Sequence, residues 1–119
     1  AVILFILLYK FGDAVLAVSK RRVSVGDSVE LQLRLVSDSA RTQKLAIDYA
    51  VHHVKSNGQT TPKVFKGWVI DLGVHEIRDL RKSHSMRPVT TRRYHPGKHV
   101  IDVRINGVVA ASAAFDLRR

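Results

Sequence analysis

The most chemically distinctive stretch of this chain runs from Leu80 to Ile101, which is rich in cations and contains no acid. Hydroxyl and aromatic side chains are interleaved with the cations. Arginine and lysine neutralise phosphates, hydroxyls donate neutral hydrogen bonds to phosphate oxygens, and an aromatic ring stacks on a base. The composition is therefore typical of a nucleic-acid-contacting surface. Its candidate residues are Arg81, Lys82, Arg87, Thr90, Thr91, Arg92, Arg93, Tyr94 and Lys98.

Two other interpretations of this stretch stay open. It could be a solvated basic loop that keeps a sheet edge from pairing with another chain, because charge at an edge opposes strand addition. It could also be a structural loop whose arginines pack over the ring of Tyr94 or Trp68. No recognised nucleic-acid-binding motif in the sequence decides between these interpretations.

The whole chain is basic as well. Its 119 residues include 20 Lys+Arg against 10 Asp+Glu, a net charge of +10. Such a balance favours polyanionic partners, which are nucleic acid or, less often, an acidic membrane surface. The alternative is a globular domain whose surface happens to be basic, since charge alone names no partner.

The sequence offers no catalytic motif. It has no glycine-rich phosphate loop, no HExxH helix and no nucleophile elbow. His52 and His53 are adjacent, so a strand would send their side chains to opposite faces. His84, His95 and His99 have no cysteine or carboxylate between them to complete a metal site. We expect a chain that is not an enzyme and holds no metal or cofactor.

The apolar pattern predicts the elements that must carry these residues. Apolar and polar residues alternate over Val100–Ile105, the period of a half-buried strand. Asn106-Gly107 then lies between two apolar runs, the strongest short-range hairpin signal, because a type I′ turn needs positive φ twice. A turn at Pro96-Gly97 precedes this hairpin. The return strand would place Val109, Ala111, Ala113, Phe115 and Leu117 on one face.

Further short strands precede this hairpin, separated by turn signals at near-regular spacing. Gly67, inside one of them, suggests a bulge or a strand that changes sheet. Seven or eight such strands favour an all-β fold, an antiparallel β-sandwich. The strands are predicted around residues 15–18, 23–25, 29–35, 45–52, 64–72, 76–82, 100–105 and 109–117. The 76–82 strand is the weakest, because Arg78 falls in phase with Leu80.

The core should consist of the in-phase apolar residues of the best-patterned strands. We assign Trp68, the single tryptophan, to this core rather than to a ligand platform. The predicted core is Leu31, Leu33, Leu35, Leu45, Ile47, Tyr49, Val51, Trp68, Ile70, Ile101, Val103, Ile105 and Phe115.

Residues 1–12 form a separate apolar segment ahead of a domain that spans 13–119. The run Ala1 to Tyr9 is uniformly apolar, but a membrane-spanning helix needs about 20 residues. We interpret the segment as a linker, an extra strand or the stub of an upstream helix. Exposed, it would drive self-association, which makes a homo-oligomer through Ala1 to Tyr9 a second expectation. Because the chain starts at Ala, we expect a fragment of a longer protein.

The segments LAIDYAVHHVKSNGQTTPKVFKGW (Leu45 to Trp68) and KSHSMRPVTTRRYHPGKHVIDVRINGVVAASAAFDL (Lys82 to Leu117) carry a family resemblance. They resemble the C-terminal extension of some bacterial DNA alkylation repair proteins, whose main body is similar to the HEAT-like alkylpurine DNA glycosylases. The resemblance implies an immunoglobulin-like β-sandwich, a cytoplasmic setting in DNA repair and an upstream helical domain. It supplies no catalytic residue, because base excision belongs to the helical repeats of that family.

These observations give two hypotheses. In the first, the chain is a non-catalytic accessory domain that contributes a basic, DNA-backbone-contacting surface to a repair protein. In the second, it is a protein-interaction or self-association module that acts through a sheet edge or the apolar N-terminal segment. DNA binding that weakens with salt would favour the first, whereas self-association that survives high salt would favour the second.

Overall fold

The computed structural model describes residues 13–88 and 94–119, which fold as two packed β-sheets. A three-stranded sheet has the order β1-β3-β6, and a five-stranded sheet has the order β2-β8-β7-β4-β5. All pairs are antiparallel except β2 with β8. The prediction of an all-β sandwich is confirmed. The strands are β1 (Asp13–Val18), β2 (Arg22–Ser24), β3 (Ser28–Val36), β4 (Gln43–Val54), β5 (Thr60–Leu72), β6 (Ile77–Ser85), β7 (Gly97–Ile105) and β8 (Val108–Arg118).

The core lies between the two sheets, where alternate residues of β3, β4, β7 and β8 meet. Leu31, Leu35 and Val103 have no exposed surface, as the period of two in their strands requires. Every predicted core residue is buried except Trp68 and Ile70, which are partly buried against the core. Their exposure follows from topology, because β5 is an edge strand and the facing sheet is narrower than its own.

The hairpin at Asn106-Gly107 forms as predicted. Its two residues have φ values of 50° and 87°, which is the left-handed region that a type I′ turn uses. Asn106 also ties the turn to the neighbouring strand β4. The Ala46 N–H donates to the Asn106 side-chain oxygen over 2.9 Å, and the Asn106 N–H donates to the Ala46 carbonyl over 2.9 Å.

In the described residues, two bulges interrupt the five-stranded sheet. At the first, Ile47 pairs with Trp68 and Asp48 with Lys66, which leaves Gly67 as the extra residue, as its glycine suggested. A Cβ there would lie 2.8 Å from the Ile47 carbonyl oxygen, so the strands approach too closely for any side chain. The second bulge, at Ala110, makes the predicted phase of β8 wrong at Val109, which was expected on the same face as Phe115. Val109 is 42% exposed and Ala110 is buried, because the extra residue reverses the alternation.

One connection fastens both sheets at the same end of the sandwich. In the link between β2 and β3, the Val25 N–H donates to the Arg118 carbonyl over 2.7 Å, and the Gly26 N–H donates to the Met86 carbonyl over 3.0 Å. The last residues of β6 and β8 therefore lie together. We call this the basic end; the opposite end holds the β7–β8 turn and the start of β4.

No helix of the described residues is long and apolar enough to cross a membrane. The apolar segment 1–12 lies outside the described residues, and its assignment to a linker, strand or helix stub stays a prediction.

Candidate nucleic-acid interface

Arg81 and Lys82 lie next to each other on β6 and point to opposite faces of its sheet. Arg81 pairs across the ladder with Gln32 and faces solvent, with its guanidinium 3.8 Å from a carboxylate oxygen of Glu30. Lys82 faces the other sheet. Its Nζ lies 3.5 Å from the Gly67 carbonyl oxygen and 6.0 Å from the centre of the Trp68 ring. The structure therefore does not bring these two predicted site residues to one surface.

Arg87 and Lys98 are the predicted site residues that the structure places together at the basic end. Both side chains are exposed. Arg87 directly follows Met86, whose N–H donates to the Asp27 carbonyl over 2.8 Å. Lys98 is the second residue of β7 and pairs with Asp116 of β8.

Tyr94 occupies a different place from the exposed stacking position that we predicted. Its side chain is only 8% exposed and belongs to the core, with its ring centre 5.3 Å from that of His53. A ring buried in this way cannot stack on a base without unfolding its surroundings. The remaining predicted residues, Thr90, Thr91, Arg92 and Arg93, lie outside the described residues.

The basic end also gathers cations that the sequence analysis did not assign to the site. They come from the β1–β2 turn and from the end of β8, far in sequence from the 80–101 stretch. All are exposed: Lys20, Arg21, Arg22, Arg118 and Arg119. The run Lys20-Arg21-Arg22 was visible in the sequence, but its position beside Lys98 depends on the parallel pairing of β2 with β8.

Several cations elsewhere on the sandwich are paired with acids. Arg34 binds Asp79 through two hydrogen bonds of 2.8 and 3.1 Å. This pair lowers the pKa of Asp79 and raises the pKa of Arg34, because each charge stabilises the other. Arg78 lies on the edge strand β6 and points toward the other sheet. It pairs with Glu76 and also donates to the Asp71 carbonyl. These contacts explain how β6 tolerates a charged residue in its apolar phase.

Asp102 lies on the outer face of the five-stranded sheet, yet only 10% of its side chain is exposed. Arg104 Nε donates to one carboxylate oxygen over 2.9 Å, and His52 Nε2 lies 2.6 Å from the other. The carboxylate is thus covered by its own partners and adds no open negative charge to this face. Among residues 13–88 and 94–119, no three His, Cys, Asp or Glu residues are grouped closely enough to hold a metal ion.

A buried histidine supports the start of β7, where Lys98 lies. His99 Nδ1 donates to the Gly97 carbonyl over 3.1 Å, and its Nε2 accepts from the Val54 N–H over 3.5 Å. This pattern requires the neutral ring. Burial lowers the pKa of His99, partly offset by the hydrogen bond to Gly97. The ring stacks on Phe115 at 5.4 Å, which joins β7 to β8.

A family model described as "Uncharacterised protein YhaZ, C-terminal Ig-like domain" matches residues 13–119. The chain belongs to this family. Protein YhaZ of Bacillus subtilis (strain 168) is 35% identical over 97 residues, which are 82% of this chain and 27% of YhaZ. The chain thus spans about a quarter of that relative's length.

Solved structures give a second comparison. The alkylpurine DNA glycosylase AlkC of Pseudomonas fluorescens, bound to DNA containing an abasic site analogue, superposes with a TM-score of 0.86 at 36% identity. The match covers 90% of this chain and 30% of that one. A β-glucosidase from Listeria innocua matches with a TM-score of 0.69 at 12% identity, over 90% of this chain and 16% of that one. The latter likeness concerns the fold alone. The predicted family resemblance is confirmed.

Proposed function

We propose that this Ig-like domain is a non-catalytic accessory module that contributes a DNA-backbone-contacting surface to a larger protein related to DNA alkylation repair. The observation that carries the proposal is the likeness to AlkC, whose structure was determined with DNA bound. The 36% identity spans nearly the whole domain, and the domain forms about a third of the AlkC chain. A module of this kind would work in the bacterial cytoplasm, beside an upstream helical domain.

Charge supports the same assignment. Arg87 and Lys98 are exposed on either side of the sequence that contains Thr90, Thr91, Arg92 and Arg93. Contacts from such residues to phosphate oxygens hold a protein on DNA without reading its sequence. Binding should therefore be weak, salt-dependent and similar for unrelated sequences.

The test is the affinity of the chain for duplex DNA over a series of salt concentrations, for wild type and for Arg92→Ala/Arg93→Ala. Each phosphate contact adds about 0.9 to the slope of log affinity against log salt. The double variant should bind unrelated sequences more weakly by a similar factor, with a slope flatter by about 1–2 if both residues touch phosphate. An unchanged affinity and slope would move the contact elsewhere, and no binding by wild type at low salt would reject DNA contact.

Pairing through the β5 edge is less favoured as an alternative. This edge carries Pro62, Lys63 and Lys66, and the bulge at Gly67 interrupts it. Proline, charge and bulges are the features that keep an edge strand from adding another chain. A self-association role would then rest on another edge strand, such as β1 or β6, or on Ala1 to Tyr9.

A further inference from the structure

We infer that the basic end has a second DNA-contacting surface, formed by the β1–β2 turn, β2 and the end of β8 and adjoining Lys98 of the 80–101 stretch. This inference rests on the proposed function and specifies which surface of the domain contacts the DNA duplex. Its residues are Lys20, Arg21, Arg22, Arg118 and Arg119, next to Lys98.

Strand pairing builds this surface. Arg22 pairs with Asp116, and Asp116 pairs in turn with Lys98, so the three residues lie in one row across β2, β8 and β7. Val23 and Leu117 are buried, which puts their neighbours Arg22 and Arg118 on the outer face. The Asp116 N–H donates to the Arg21 carbonyl over 2.7 Å, which fixes the turn against β8. The positions of Arg22, Lys98 and Arg118 are therefore set by the sheet.

The surface carries an excess of positive charge. Within the parts of the chain that the structure describes, none of these cations forms an ion pair, whereas Arg34, Arg78 and Arg104 each bind an acid on the rest of the sandwich. Asp116 lies in the row between Arg22 and Lys98, and Asp27 is exposed in the β2–β3 link at the same end, but these two acids are outnumbered by the cations beside them. At the opposite end, Asp13, Asp38, Asp71 and Glu76 offset Arg41, Lys44 and Arg78. The domain is therefore electrically polarised along its length.

The dimensions suit a duplex. Strands lie about 4.8 Å apart, so the row from β2 through β8 and β7 to β4 spans about 14 Å. Duplex DNA carries one charge per about 1.7 Å of its axis when both strands are counted, so a length equal to this row carries on the order of eight phosphate charges, of which the row faces those on the near side. Lys55 is a further exposed cation at this end, in the β4–β5 turn.

The experiment compares two variants of the full chain that lose the same charge. Lys20→Gln/Arg21→Gln/Arg22→Gln alters the proposed surface. Arg41→Gln/Lys44→Gln/Lys66→Gln removes three exposed cations elsewhere and is the matched control. Duplex DNA affinity is measured over a salt series. The first variant should lose about tenfold or more in affinity, with a slope flatter by about 2–3. The control should stay within about threefold of wild type. Equal losses in both variants would overturn the inference.

Additional measurements distinguish failure of this inference from failure of the proposed function. If circular dichroism shows that the first variant does not fold, Arg118→Gln/Arg119→Gln tests the same surface at the chain end. We expect this variant to lose affinity for duplex DNA in the same way. Wild-type binding that neither variant of this surface reduces would overturn this inference and leave the proposed function standing. Absence of wild-type binding would overturn both. Tighter binding to phosphatidylserine vesicles than to duplex DNA at equal salt would overturn the assignment of DNA as the partner.

Discussion

The side chains of Arg81 and Lys82 leave β6 on opposite faces, so two adjacent cations have different surroundings. Arg81 is exposed and lies 3.8 Å from Glu30 across an open surface. Lys82 is partly buried between the sheet edges, with its ammonium near the Gly67 carbonyl and the Trp68 ring. Lys82 is therefore placed to stabilise the contact between the edge strands β5 and β6 of the two sheets, whereas Arg81 should contribute little to stability.

This difference predicts unequal effects of two truncations. Lys82→Ala should lower the free energy of unfolding by about 0.5–1 kcal/mol, through loss of the cation–π contact and of the packed stem. Arg81→Ala should change it by less than about 0.5 kcal/mol, because exposed ion pairs contribute little. Urea denaturation of both variants measures the difference. A larger cost for Arg81→Ala would contradict the assignment of faces.

Val103→Ala should cost about 1–3 kcal/mol of unfolding free energy. Val103 has no exposed surface and packs at the centre of the core, so truncation loses burial and leaves a void. Val109→Ala is the matched control, since this valine of the neighbouring strand is 42% exposed. Chemical denaturation should give less than about 0.5 kcal/mol for the control. Similar costs at both positions would mean that the bulge at Ala110 is misplaced.

The two valines also illustrate what the sequence can predict. Periods of two predicted the strands and nearly all of the core, because local alternation reports which face is buried. The Asn106-Gly107 pair predicted the hairpin, because its residues suit a type I′ turn. The phase of Val109 was mispredicted because the bulge at Ala110 adds one residue, and nothing in the run VVAASAAF indicates where a bulge falls.

The candidate site was harder to predict than the fold, because it depends on pairing between distant segments. Arg22 and Lys98 are brought into one row by the parallel β2–β8 pair, which no local pattern indicates. The continuous stretch 80–101 was an incomplete guide, since strand alternation separates Arg81 from Lys82 and Tyr94 turns into the core.

Gly107→Val should destabilise the domain by about 1–3 kcal/mol, because a β-branched residue at a φ of 87° is strained whatever the space around it. No atom lies within 4 Å of a Cβ built there, so the cost would come from the backbone alone. Thermal unfolding followed by circular dichroism measures it. Gly67→Ala provides the contrast, with a cost from the clash with the Ile47 carbonyl instead. An unchanged midpoint for Gly107→Val would contradict the type I′ turn.

Deletion of Ala1 to Tyr9 should abolish any self-association of the chain. The run is apolar and carries neither charge nor proline, which is the composition of a segment that pairs or aggregates when exposed. Light scattering at low and high salt gives the mass before and after deletion. A chain that still self-associates after the deletion would place the contact on the sandwich itself.

Acid should destabilise the domain through His99. Burial lowers the pKa of His99 below its ordinary value of 6.5, so the unfolded chain takes up a proton at a higher pH than the folded one. The contribution of His99 to stability is therefore complete above about pH 6.5 and is lost as the pH falls from there through the folded pKa. One proton changes the unfolding free energy by at most about 1.4 kcal/mol per pH unit.

The measurement is the difference in pH dependence between wild type and His99→Gln, which removes the titrating ring. Glutamine retains an oxygen that can accept from the Val54 N–H, the contact that protonated His99 would lose. Urea denaturation at several pH values from 7.5 to 5 should give a flatter profile for the variant, whatever its stability at neutral pH. His53 lies beside His99 and is retained in both proteins, so its contribution largely cancels in the comparison. Parallel profiles would show that His99 takes up its proton equally in the folded and unfolded chains.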